Sequence, residues 1–409
     1  MPRRACLRAP DEAQSGALSF ASSPQVGYTT QLSLDTEKRC AGLPLSAKAD
    51  TPRPVISMGR DVFPVVFDGH NDVLDRLGGP DGGGPGAFFE RGDQGHLDLP
   101  RAREGGFGGG FFAVWVPSPK EQTPEPTPGR TPGALPPALD AAYALHHTMA
   151  ATAMLFRIED RSDGKFRVVR SAAELQRCLD GEVMAAVLHL EGADGIDTDL
   201  DTLHVLYRAG LRSLGFVWAR PNAFAEGVAL HFQRSPDTGP GLTEAGRKLV
   251  RACNNLRLMI DVSHLNERGF WDVAALTDAP LIASHSNAYA LCASTRNLTD
   301  PQLDAIAASD GMIGLNFAVH FLREDGARDA NTPLEVMVRQ IDYLVERVGI
   351  DRVGFGSDFD GVLVSQEIGD VSGLPRLMSA LRDRGYDDQA LRKLAHENWV
   401  RVLRKTWGE

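Results

Sequence analysis

The sequence predicts an α/β fold, specifically a (β/α)8 TIM-type barrel. From Val65 onward, short runs rich in Val, Ile, Phe and Gly alternate with segments of helical period, which is typical of repeated β–α units around a parallel sheet. There are eight such runs, and eight parallel strands close a barrel. The predicted strands cover residues 65–70, 109–116, 185–192, 212–218, 257–264, 280–286, 311–317 and 352–358.

Helical segments separate these strands, and Asn, Thr or Asp often stands just ahead of them as a natural N-cap. The predicted helices cover residues 139–156, 200–209, 243–254, 267–276, 301–308, 334–348, 374–384 and 388–405. Pro, Gly and Thr are dense between residues 118 and 137, which predicts a long surface loop.

Residues 1–57 mix Ser, Pro, Thr, Ala and charged residues without periodicity, so we expect a disordered N-terminal extension. Met58 stands just before the first convincing strand, and a natural start at Met58 is one hypothesis for this extension. The remaining residues, 58–409, are predicted to form one barrel domain, because a barrel with insertions commonly has this length.

Composition narrows the class of partner. The 409 residues carry a formal charge of -11, which disfavours nucleic acid and anionic membranes and favours a small-molecule partner. No long apolar run, signal peptide or lipid-anchor signal is evident, so we expect a cytoplasmic location. The five cysteines lack CxxC spacing, which suits reduced, unpaired thiols.

The residues that end the predicted strands indicate a metal site, because the active site of a parallel barrel lies at the carboxyl ends of its strands. His70 and Asp72 end the first strand two residues apart, so both can project the same way and offer one metal a nitrogen and an oxygen. Glu191 ends the third strand, and its two oxygens can bridge two cations. His264 and His285 end adjacent strands and can meet over the second cation.

A further carboxylate, Asp358, ends the eighth strand, and we assign it to proton transfer. Asp360 is its rival, which we expect to support the following loop instead. Each signal is weak alone, because a His and an Asp two apart are common by chance. The joint pattern, with ligand-type residues at five of eight strand ends and apolar interiors, predicts a binuclear metal site.

Several longer motifs carry a resemblance to a known family. They are FDGHND (67–72), HLEGADGID (189–197), GLTEAGRKLV (241–250), MIDVSHLNERGFWDV (259–273), PLIASHSNAYALCASTRNLTD (280–300) and VGFGSDFDG (353–361). In these motifs the chain resembles the membrane (renal) dipeptidases, a zinc-dependent branch of the amidohydrolase superfamily. The match runs from about Val65 to the C-terminus.

The resemblance implies two Zn²⁺ per chain, held by the five ligands already named. His70 and Asp72 would hold one zinc, His264 and His285 the other, and Glu191 would bridge both. It further implies that Arg296, in STRN, holds the terminal carboxylate of the substrate, a task that suits a guanidinium fork. Family members are often dimers, so a homodimer is a further expectation.

The chain departs from the mammalian-type members at the end of the fourth strand. Those members carry Thr-His-Ser, whose histidine contacts the scissile carbonyl, whereas this chain has Val217-Trp218-Ala219. Trp218 is therefore a candidate substrate-binding residue, whose N–H can donate one hydrogen bond. Tryptophan-containing versions resemble bacterial branches, and the missing membrane-anchor signal and paired cysteines favour a soluble, cytoplasmic form.

The expected activity is hydrolysis of the peptide bond of dipeptides. Two cations can share a hydroxide that attacks the peptide carbonyl, while Asp358 takes the proton and passes it to the leaving amine. One alternative is another amidohydrolase reaction on a small carboxylate-bearing amide, such as a lactam or an N-acyl amino acid. Another is a metal-binding barrel that has lost catalysis.

Overall fold

A computed structural model of the chain describes residues 56–58, 61–119 and 135–408. The predicted extension, apart from its last two residues, lies outside the described residues, as does most of the predicted loop at 118–137. The strands are β1 (Ile56–Met58), β2 (Asp61–Phe63), β3 (Val66–Asn71), β4 (Phe107–Trp115), β5 (Phe166–Val168), β6 (Met184–Glu191), β7 (Leu211–Gly215), β8 (Met259–Asp261), β9 (Ile282–Ala283), β10 (Met312–Leu315) and β11 (Val353–Phe355).

Eight of these strands form a closed parallel barrel, which confirms the predicted fold. The order around the ring is β3-β4-β6-β7-β8-β9-β10-β11, and β11 pairs with β3 to close it. All eight correspond to predicted strands. The hairpin β1–β2 and the short strand β5, which pairs with the first residues of β6, were not predicted.

Helices surround the barrel. They are α1 (Val73–Gly78), α2 (Gly84–Ala87), α3 (Leu99–Gly105), α4 (Ala141–Arg161), α5 (Ala172–Asp180), α6 (Asp201–Ala209), α7 (Glu244–Leu256), α8 (Glu267–Leu276), α9 (Asp300–Ala308), α10 (Val319–Leu322), α11 (Leu334–Val348), α12 (Leu374–Arg384), α13 (Asp388–Arg392) and α14 (Asn398–Trp407). The side chains of Thr243 and Asn266 accept hydrogen bonds from the first turns of α7 and α8, as N-caps do. In the described part of the chain, no helix has the length and apolar character needed to cross a membrane.

The last predicted helix, 388–405, is interrupted by a π-helical segment at Lys393–Glu397. The side chains around this segment bind backbone carbonyls at the starts of barrel strands. His396 Nδ1 lies 2.8 Å from the carbonyl oxygen of Val65, and Asn398 donates to the carbonyl of Val353 at 2.8 Å. The sequence shows continuous helical periodicity here, so it could not predict the π-helical segment, which accompanies these tertiary contacts.

Trp399, the second residue of α14, fills the barrel interior beneath the strand ends. Its ring is fully buried, and its Nε1 donates to the carbonyl oxygen of Phe355 at 3.0 Å. Gly69 makes room for this ring, since a Cβ there would lie 2.5 Å from the indole and 2.3 Å from the carbonyl oxygen of Ser284. The close contact with Trp399 therefore requires glycine at position 69, directly before His70.

Replacing Trp399 with alanine is expected to lower the free energy of unfolding by about 3–5 kcal/mol, because it leaves a large cavity in the barrel. Urea denaturation of the metal-loaded protein measures this. Trp271→Ala is the control, because Trp271 is 39% exposed and its loss is expected to change stability by only about 0.5 kcal/mol. Equal effects of the two substitutions would show that Trp399 does not support the barrel.

Candidate metal centre

The structure brings His70 and Asp72 together at the end of β3. His70 Nε2 lies 3.6 Å from Asp72 Oδ1 and 3.7 Å from Glu191 Oε1 at the end of β6. These separations are too long for hydrogen bonds. They are close to the roughly 3.4 Å expected between two ligands that each bind a tetrahedral cation at about 2.1 Å.

Glu191 also lies beside the other two histidines. Its Oε1 is 3.0 Å from His264 Nε2 and 3.5 Å from His285 Nε2, and the two imidazole nitrogens are 3.2 Å apart. The ring of His285 in turn stacks on that of His70, with centroids 3.7 Å apart. All five predicted ligand residues therefore converge on one small volume, with Glu191 at its centre.

The protonation states of the histidines suit metal binding. Burial lowers the pKa of His70 and lowers the pKa values of His264 and His285 well below the usual range, so all three imidazoles are neutral at pH 7. Both nitrogens of His70 are buried without a hydrogen-bond partner among the described residues. His70 Nε2 thus lies near carboxylate oxygens without a hydrogen bond to them. A cation bound between the imidazole nitrogen and these oxygens would give each of them a partner.

The carboxylates of the site cannot all be ionised without a compensating charge. Burial raises the pKa of Glu191 well above its usual range, and the nearby charge of Asp72 raises it further. Burial likewise raises the pKa of Asp358 to about 7, with a second contribution from Asp72. Since divalent cations would remove this repulsion, the donor set fits such ions chemically.

Asp358 follows β11 and lies within the same group of atoms. One oxygen each of Asp72 and Asp358 and one nitrogen of His70 lie within 4.8 Å of one another, so Asp358 is also placed where a metal ligand could be. Asn316 donates to Asp358 Oδ2 at 2.7 Å. The backbone of Asp358 has a φ of 61°, in the left-handed region, as does that of Asp360 at 72°.

Asp360, the rival carboxylate, is occupied elsewhere. Its side chain is fully buried and accepts a hydrogen bond from Arg76 Nε at 3.1 Å. It also accepts one from the backbone amide of His96, while His96 Nδ1 accepts from the backbone amide of Asp360 at 2.9 Å. These bonds tie the loop after β11 to α1 and to the loop before α3, which agrees with a supporting role.

Two aspartates inside the strands position the site, and the sequence reasoning missed both. Asp68 accepts hydrogen bonds at 2.7 Å from both the amide and the hydroxyl of Ser357, which joins β3 to the residue before Asp358. Asp261 accepts from the amide of Ser284 at 2.8 Å and from its hydroxyl, which lies 2.7 Å from His285 Nδ1. A charged residue inside an otherwise apolar strand was the available signal, because buried charges require partners.

A cavity of about 370 Å³ opens above the predicted metal ligands, and Asp72, Glu191 and His264 line it. Trp218 and Trp115 line one part of its wall, with their rings 5.3 Å apart, and Trp218 lies 6.2 Å from the ring of His264. Behind them the buried guanidinium of Arg220 lies 5.0 Å from the ring of Trp218, and its nitrogens have no hydrogen-bond partner among the described residues. Cation–π attraction between Arg220 and the two indole rings therefore stabilises this side of the cavity. This role of Arg220 was not predicted from the sequence.

Arg296 is buried beside the metal ligands, with 4% of its surface exposed. Its Nη1 donates to Ser286 Oγ and its Nη2 to the carbonyl oxygen of His285, both at 2.8 Å. Its Nε has no partner among the described residues. The guanidinium thus lies close to the site, with part of its hydrogen-bonding capacity used to hold the backbone of His285.

The barrel and its convergent histidines and carboxylates define a metal-dependent hydrolase of the amidohydrolase type. The family model described as membrane dipeptidase (peptidase family M19) matches residues 62–407, and the chain belongs to this family. The predicted resemblance and the predicted class of enzyme, a metallo-dipeptidase, are confirmed. Metal dependence follows from the family, and the ligand-type residues described above are present to serve it.

Solved structures and a curated relative agree with this assignment. The dipeptidase AC, a metallopeptidase of family M19, is 51% identical with a TM-score of 0.80, over 85% of this chain and 100% of that one. A metallopeptidase from Rhodobacter sphaeroides, liganded with a phosphinate mimic of the dipeptide L-Ala-D-Ala, is 50% identical with a TM-score of 0.80, over 84% and 100%. Dipeptidase tcpJ of Claviceps purpurea (strain 20.1) is 28% identical over 76% of this chain and 69% of its own length.

Metal removal is expected to have a pH-dependent effect on stability. In the metal-free folded protein the pKa of Asp358 is about 7, whereas an unfolded aspartate ionises near 3.9. Between these values the folded state binds more protons, so the free energy of unfolding of the metal-free protein falls as pH rises. The difference in melting temperature between metal-loaded and metal-free protein should therefore widen from pH 5 to pH 8. A difference that is constant or narrows with pH would contradict the proposed electrostatics.

Proposed function

We propose that the five converging residues hold two zinc ions per chain. His70 and Asp72 serve one ion, His264 and His285 serve the other, and Glu191 lies between them. The observation that carries this proposal is that one oxygen of Glu191 lies 3.0–3.7 Å from a nitrogen of each of the three histidines. Imidazole and carboxylate are ligands that zinc accepts, which supports zinc as the metal.

The reaction we propose is hydrolysis of a dipeptide in the cavity above this centre. The zinc ions that these five residues would hold would, when bound, supply an activated water at neutral pH and a polarised peptide carbonyl. Asp358 takes the proton of the attacking water and passes it to the leaving amine. Asp358 lines the cavity together with Glu191 and His264, so its carboxylate is within reach of a water and a substrate bound there.

Other residues of the chain orient the substrate in this proposal. Arg296 holds the C-terminal carboxylate, for which its proximity to the site and its unpartnered Nε give support. Trp218 forms the wall beside the scissile bond, and it lines the cavity together with Asp358 and His264. Asn316 keeps the carboxylate of Asp358 in place through its 2.7 Å hydrogen bond.

We further propose a cytoplasmic homodimer. The cytoplasmic location is supported by the three described cysteines, Cys178, Cys253 and Cys292, which are all buried and free of disulfides. The dimer rests on the family resemblance alone.

Asp358→Asn tests the proton-transfer role. The substitution keeps the size of the side chain but removes its basicity, so we expect turnover to fall at least about 100-fold. Metal analysis should still find close to two zinc ions per chain. Asp360→Asn is the matched comparison, and we expect it to retain most of the turnover, because Asp360 bonds to Arg76 in α1 and to the backbone of His96. Loss of zinc from Asp358→Asn would make Asp358 a ligand, and a greater loss of turnover in Asp360→Asn would reverse the two roles.

The substrate class can be tested with a panel of L,L dipeptides, L,D dipeptides and N-acylated dipeptides. We expect hydrolysis of free dipeptides and little hydrolysis of N-acylated ones. The L,D series is included because the Rhodobacter sphaeroides relative holds a mimic of L-Ala-D-Ala. Faster hydrolysis of N-acyl substrates than of free dipeptides would replace the dipeptidase assignment with another amide hydrolysis.

A further inference from the structure

The mouth of the cavity carries a positive charge that the proposed mechanism does not use. Among the described residues that line the cavity, Arg328 is the one arginine, and it is exposed on the loop after α10. Leu230 and Leu363 are its exposed apolar neighbours on the cavity wall, at 41% and 44% exposure. A guanidinium beside apolar surface at a cavity entrance is suited to bind an anionic group of a ligand.

Two aspartates of the same loop have partners other than Arg328. Asp325 is paired with Arg323, whose Nε and Nη2 both donate to its carboxylate. Asp329 accepts a hydrogen bond from the backbone amide of Asn331 at 2.9 Å. No salt bridge links Arg328 to a carboxylate within the described ranges, so its charge remains available to a ligand.

His320 orients Arg328. The Nη2 of Arg328 lies 3.4 Å from His320 Nε2. Burial, and then the charge of Arg328, lower the pKa of His320 to about 4, so the imidazole is neutral at pH 7 and its Nε2 can accept this hydrogen bond. The contact uses one N–H of the five that a guanidinium offers.

Arg328 and Arg296 differ in accessibility. Arg296 is 4% exposed, and two of its nitrogens already donate to Ser286 and His285. Arg328 is exposed, lines the cavity, and has most of its donors free of contacts in the described part of the chain. The two arginines can therefore bind different carboxylates of one substrate. Alternatively, Arg328 can bind the C-terminal carboxylate of a dipeptide as the substrate enters the cavity.

We propose that Arg328, oriented by His320, is a second carboxylate-binding residue of the dipeptide site. This proposal rests on the proposed dipeptidase function. It adds that the mouth of the cavity recognises a carboxylate of the substrate. That carboxylate belongs either to an acidic C-terminal side chain or to the C-terminus itself. In both cases a substrate that has the carboxylate is favoured over its neutral amide counterpart.

The test compares isosteric acid and amide pairs in metal-loaded protein. Ala-Asp against Ala-Asn reports on the side-chain carboxylate, and Ala-Ala against its C-terminal amide reports on the terminal carboxylate. Arg328→Gln is expected to raise KM about tenfold for the acid member of one pair, with kcat within about twofold, because one charge-assisted contact is lost. Arg328→Lys should restore part of the discrimination, since it keeps the charge without the fork.

Arg339→Gln is the matched control, because Arg339 is exposed on α11 and does not line the cavity. Dissociation constants for the same four compounds, measured by calorimetry with Asp358→Asn as background, keep the comparison independent of turnover. The proposal is overturned if Arg328→Gln and Arg339→Gln give the same acid-to-amide ratios for both pairs. A wild-type protein that hydrolyses none of the compounds would instead refute the dipeptidase function, while the dissociation constants would still decide the role of Arg328.

Discussion

The structure depends on one electrostatic constraint, the burial of three carboxylates beside three neutral imidazoles. Asp72, Glu191 and Asp358 are each less than 9% exposed, and burial raises the pKa of every one of them. Such a group is costly in a folded protein unless positive charge compensates it. Divalent cations would provide that compensation, so the same constraint would account for the site's place in the barrel and for its chemistry.

The barrel makes this concentration of charge possible because its strands meet at their carboxyl ends. The proposed ligands come from the ends of four strands, with His70 and Asp72 sharing β3, and hydrogen bonds below them hold the strands in register. Asp68 joins the first strand to the last through Ser357, and Asp261 joins the two strands that end in His264 and His285. These links place the ligands on rigid elements, which is what a precise metal site requires.

Much of this arrangement could be predicted from the sequence, because the strand period and the strand-end residues are local signals. His70, Asp72, Glu191, His264 and His285 were all singled out in this way, and the structure places their side chains 3.0–3.7 Å from a neighbour in the group. The remaining features depend on partners that are remote in the chain. The role of Arg220 depends on the ring of Trp115, which is remote in the chain, as well as on that of Trp218. The role of Asp68 depends on Ser357, 289 residues away.

The proposed centre has Glu191 between two metal ions. A crystal structure of the zinc-loaded protein, with anomalous data collected at the zinc edge, tests it most directly. We predict two anomalous peaks per chain about 3.5–4 Å apart, with Glu191 bound to both, His70 and Asp72 at one peak, and His264 and His285 at the other. A single peak, or two peaks without Glu191 between them, would contradict the account.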